Sequence, residues 1–73
     1  MTVRWTPERL DQLEHAARNG LRVALNRRGT EYVVTALRMT VTENRDAFVG
    51  KLPMTGEEMT FVLEEINELQ VLP

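Results

Sequence analysis

A chain of 73 residues with net charge −2 makes one domain with a thin core, because folding at this size buries only about 60% of the surface that the unfolded chain exposes. It contains no cysteine and a single histidine, which excludes disulfides, thiolate metal sites, cysteine catalysis and multi-histidine sites. The apolar fraction is an ordinary 42%, no apolar run approaches the ~18 residues of a membrane span, and the start MTVRWTPERL lacks a signal-peptide stretch. A cytoplasmic protein without membrane contact is expected.

In chain order, Thr6-Pro7 opens a helix. Threonine caps the free N–H groups, and proline suits the first helical position. Arg9 stands where a capping-box glutamate would, so Glu8 supplies the early negative charge. Leu10, Leu13, Ala16 and Ala17 recur at helical spacing on one face, and Asn19-Gly20 ends the helix. The predicted helix covers 7–18. From Leu21 to Arg27 the chain alternates, with Leu21, Val23 and Leu25 on one face and Arg22, Ala24 and Asn26 on the other, as in a half-buried strand. Arg28-Gly29 is a turn. Thr30 to Val41 is a second strand rich in β-branched residues. Both of its faces are apolar in part, which suggests a bend serving two sides of a barrel. Thr42 to Asp46 is polar and reads as a loop. Ala47 to Leu52 is a third strand, with Gly50 a candidate bulge or close-packing position.

The tail decides the fold. In TFVLEEINELQVL, residues 60–72, the apolar positions Met59, Val62, Leu63, Ile66 and Leu69 follow helical spacing, and Thr55 and Glu58 have capping-box spacing. Against a helix, Thr60-Phe61-Val62 favour a strand, Met59, Phe61 and Leu63 also alternate, and Gln70-Val71-Leu72 looks like a closing strand. Two short strands with a tight corner would also cover sheet edges that a three-stranded sheet leaves bare. The expected fold is mainly β: an N-terminal helix, in residues 1–20, then a five-stranded small barrel over 21–73. The alternative is an α-β-β-β-α order with a C-terminal helix at about 56–69.

From Asn19 onward, about three-quarters of the chain, the order of features resembles the WYL domain, an SH3-like (Sm-like) barrel of bacterial regulators. The small residue and glycine, RVALNRRGTEYVVTALRM as two strands, AFVG as the third, and the tail with its phenylalanine, isoleucine and closing strand carry the likeness. The resemblance implies the barrel, and it implies binding of nucleic acid or nucleotide-like ligands through arginines. Here Ala47-Phe48-Val49 replaces the family's Trp-Tyr-Leu, and Val62, Glu64 and Glu65 stand where members carry those arginines.

Charge is uneven. Residues 1–40 carry seven arginines against four carboxylates, a balance of +3, and residues 41–73 carry two cations against seven carboxylates, a balance of −5. A basic face of one copy could therefore meet an acidic face of another. Candidate anion or nucleic-acid contacts are Arg18, Arg22, Arg27, Arg28 and Arg38, whose guanidinium forks fit phosphate, with Tyr32 as a stacking surface. Trp5, Glu64 and Glu65 are candidates for partner contact or self-association. Glu57-Glu58 and Glu64-Glu65 are adjacent only in sequence, and adjacent strand residues face opposite ways, so neither is an acid–base dyad. His15 reads as a helix-surface residue. No catalytic, metal or cofactor site is expected. The function expected is a non-catalytic binding or assembly module, self-associating or with a protein partner. The rival is a nucleic-acid or nucleotide binder, less favoured. A small-molecule sensor or antitoxin-like regulator rests on size and fold analogy only.

Overall fold

A computed structural model describes residues 4–73. It shows one helix and one antiparallel sheet. Helix α1 spans Pro7–Asn19. Thr6 Oγ1 accepts the Arg9 amide at 3.2 Å, and Gly20 ends the helix at φ 63°, its N–H donating to the Ala16 carbonyl. The strands are β1 (Arg22–Arg27), β2 (Thr30–Thr42), β3 (Arg45–Lys51), β4 (Glu58–Val62) and β5 (Ile66–Val71), with a 3-10 turn at Leu63–Glu65 between the last two. The C-terminal helix considered for 56–69 is therefore not formed. Its residues instead pair Ala47–Lys51 with Glu58–Val62 and Val23–Arg27 with Ile66–Val71.

The sheet order is β4-β3-β2-β1-β5. Among the described residues no ladder joins β4 to β5, so the expected closure into a barrel is not made by hydrogen bonds. The sheet nevertheless curls. Laid flat, five strands would hold β4 and β5 about 19 Å apart, yet the corner between Val62 and Ile66 spans only about 8 Å at the 3-10 rise. The two ends of the sheet must approach each other there. Two irregularities permit the curl. One lies in β2 between Ala36 and Arg38, and one lies where β5 meets Asn26 and Arg27 of β1. The first lies in the long second strand, for which the sequence predicts a bend.

The β1–β2 and β2–β3 turns each contain two residues with positive φ: Arg28 (52°) with Gly29 (86°), and Glu43 (49°) with Asn44 (63°). That is the turn geometry whose twist matches flanking strands. The segment expected to be a polar loop, Thr42 to Asp46, is thus a tight turn, and Arg45 and Asp46 are strand residues opposite Thr42 and Val41. Ladder pairing outweighs their polarity. Glutamate is poorly suited to left-handed backbone, and its ion pair with Arg45 is long (4.0 Å) and exposed. Glu43→Asn is therefore expected to stabilise the fold by about 0.5–1 kcal/mol, raising the thermal midpoint by a few degrees on a domain this small. An unchanged or lower midpoint would contradict the turn assignment.

The core joins all these elements. Leu13, Ala16 and Ala17 of α1 meet Val23, Leu25, Val34, Ala36, Phe48, Phe61, Leu63 and Ile66. Trp5 packs against this cluster, and its indole Nε1–H donates to the Leu63 carbonyl at 2.9 Å. The segment before α1 is thereby strapped to the 3-10 corner. No described helix is long and apolar enough to cross a membrane.

Candidate functional site

The positions singled out by sequence fall into three places. The first is the turn end of the β1–β2 hairpin. Strand alternation carries Val23, Leu25 and Arg27 on one side of β1, so Arg27 follows the core residues rather than the solvent-facing ones. Its guanidinium lies 5.3 Å from the Tyr32 ring centroid and 5.2 Å from that of Phe61. One of its N–H groups donates to the Tyr32 hydroxyl at 3.2 Å. Tyr32 meets Phe61 edge-on at 5.2 Å, and Phe61 stacks on Phe48 at 5.3 Å. Arg27 is thus the outer member of an aromatic series that runs into the core, and Tyr32 is occupied within it.

The second place is the 3-10 corner. Glu65, with a side chain only 20% exposed, accepts from Arg28 at 3.1 Å and lies 3.6 Å from Arg45. Arg45 is also 3.9 Å from Glu64. The two hairpin ends are therefore tied electrostatically to the corner. In the sequence Arg45 stands out only as a charge. Its signal is weak, because nothing local says that residue 45 will lie beside residues 64 and 65. Pairs this exposed each contribute at most about 1 kcal/mol. Their main effect is on where the corner sits.

The third place is a groove between the C-terminal half of α1 and β2, with a volume of about 350 Å³. Ala17, Leu37 and Met39 line it, with Glu14, Arg18 and Arg38 alongside. Arg38 also bonds Glu58 across the intervening β3, at 3.3 Å. Arg18 has no ion-pair partner among the described residues. Arg22 is separate from all three places: it is exposed at the start of β1, and its carbonyl accepts the Leu72 amide. The arginines expected to act together are hence divided. Thr30 and Arg38 stand eight residues apart on β2, up to about 27 Å for an extended strand. Of the expected self-association residues, Glu64 is exposed, Glu65 is held by two arginines, and Trp5 is held by Leu63.

No protein-family model, curated protein or solved structure matches this chain. The arrangement must be read from its own chemistry. Among the described residues no group of three or more His, Cys, Asp or Glu is placed to hold a metal ion. Four carboxylates, Glu43, Glu58, Glu64 and Glu65, meet arginines at Arg28, Arg38 and Arg45. The surface carries charged side chains beside small apolar depressions, and backbone at the sheet's edges.

Proposed function

We propose that this protein is a non-catalytic assembly module of the small-barrel kind, related in design to WYL and Sm-like cores, whose copies associate with one another. The observation that carries this reading is the pair of bare strand edges. Among the described residues β4 pairs only with β3, and β5 pairs only with β1. Each leaves a row of backbone donors and acceptors available to a further strand. A domain with so thin a core gains stability from whatever it docks against. The polarity of charge along the chain gives two copies a favoured relative orientation.

Light scattering over a range of concentrations is expected to show a dimer or larger ring. Amide exchange in residues 58–62 and 66–71 is expected to slow as concentration rises, since pairing at the edges shelters those groups. A strict monomer at about 1 mM would overturn the reading, since a useful assembly contact is tighter than that. Salt-sensitive binding of single-stranded oligonucleotides by such a monomer would favour the nucleic-acid reading instead. That reading has less support, because Arg27, Arg28 and Arg38 already have partners within the chain.

A further inference from the structure

The loop between β3 and β4 is built to hold an apolar side chain in water. The Gly56 amide donates to the Leu52 carbonyl at 2.8 Å, and the Leu52 amide donates to the Glu57 carbonyl at 2.9 Å. The Thr55 hydroxyl accepts the Glu57 amide at 3.2 Å, and Gly56 takes φ 75°, which glycine adopts at low cost. On this closed loop Met54 is 94% exposed. Glu57 follows it, exposed and with no ion-pair partner among the described residues. A fixed loop loses little conformational freedom on docking, and a methionine side chain adapts to an irregular apolar surface.

The α1–β2 groove is the complement of that loop. Its floor of Ala17, Leu37 and Met39 is apolar, and at its edge stands Arg18, a cation unpaired among the described residues. One bond links the two, since Glu58, directly after Glu57, meets Arg38 at the groove's edge. Mutually complementary patches are what a twofold contact needs: each copy gives its loop and receives its partner's.

We infer that two copies of this chain dock reciprocally, Met54 of each entering the α1–β2 groove of the other and Glu57 of each meeting the other's Arg18. The inference rests on the self-association reading and adds to it a surface distinct from the strand edges. Glu57 and Arg18 are the decisive pair, because both side chains are exposed and neither makes an ion pair within its own chain among the described residues.

Sedimentation velocity on Arg18→Glu and Glu57→Arg tests it, with circular dichroism to confirm that both variants fold. Each variant alone is expected to self-associate at least about tenfold more weakly than wild type, because like charges then face each other twice in every dimer. Mixed together, the two variants are expected to pair with near wild-type affinity. One contact of the mixed dimer is then the native Arg18–Glu57 pair, and the other is the same pair with its signs exchanged, so both attract. Met54→Asp is expected to weaken association by a similar factor without recovery on mixing. Wild-type association that the single variants leave unchanged, or that mixing fails to restore, overturns this contact and leaves the assembly reading standing. A monomeric wild type overturns both.

Discussion

Phe61→Ala is expected to cost about 3–5 kcal/mol, the usual range for emptying a buried aromatic site. A domain of this size has in total about 4–11 kcal/mol of stability, so the variant should lose from about a quarter to all of it. Phe61 is fully buried and sits where three lines of packing cross. It stacks on Phe48, takes the edge of Tyr32 and carries the Arg27 guanidinium. It also belongs to β4, one end of the sheet, while Ile66 in the same core belongs to β5, the other end. Removing it takes away contacts through which the curled sheet meets itself. Phe61→Leu refills most of the volume and should lose about 1–2 kcal/mol, chiefly the aromatic geometry. Urea unfolding of both variants measures this. A loss under about 1 kcal/mol for Phe61→Ala, well below the usual range, would mean that the two ends of the sheet do not depend on a shared core.

Gly50→Ala is expected to destabilise by overpacking. A Cβ at Gly50 would lie 2.6 Å from Val34 Cγ2 and 2.9 Å from Val34 Cβ, closer than carbon atoms approach. The obstructing atoms are at the branch of a fully buried valine, whose χ1 is stiff, so no flexible chain end can move aside. The cost should reach the upper part of the roughly 1–3 kcal/mol typical of one added methyl in a packed core. Val34→Ala alone also destabilises, by leaving a cavity. Combined with Gly50→Ala it removes the closer contact, with Cγ2, and keeps the one with Cβ, so the double variant loses less than the sum of the two, with a coupling of about 1 kcal/mol. Strict additivity in a double-mutant cycle would show that the two strands separate locally to accept the methyl. The sequence offers Gly50 as a bulge or a point of close packing. It is the latter, and the bulge is on the partner strand, where Leu37 stands between the paired Ala36 and Arg38.

Much of the architecture is legible wherever one residue acts on its immediate neighbours. Thr6, Pro7 and Gly20 bound the helix through capping and a left-handed backbone. Arg28-Gly29 marks the first hairpin. Alternation along Leu21–Arg27 identifies β1 and, followed one step further, places Arg27 on the core side. The Glu43-Asn44 turn is harder to see, since neither residue is a glycine and the flanking Arg45 and Asp46 are polar. The charged contacts are hardest. Glu65 meets Arg28 and Arg45 across 37 and 20 residues of chain, and no local pattern encodes such a meeting.

The tail shows why the boundary falls there. Its apolar positions read as a helix because two strands with a repeat of two are joined by a 3-10 turn with a repeat of three. Met59, Phe61 and Leu63 are spaced by two, and Leu63 and Ile66 by three. The mixture imitates a period of 3.6. Alternation, caps and turns are properties of a few consecutive residues, so the chain alone set the helix, the first hairpin and a tail able to adopt either form. Whether that tail became helix or strands depended on β3 and β1, which supply its hydrogen-bond partners. Among the described residues the same tertiary pairing left the two ends of the sheet unjoined by a ladder, and it put Arg38, at the edge of the α1–β2 groove, within reach of Glu58. Those outcomes come from contacts between residues far apart in the chain, and only the assembled sheet brings them within reach.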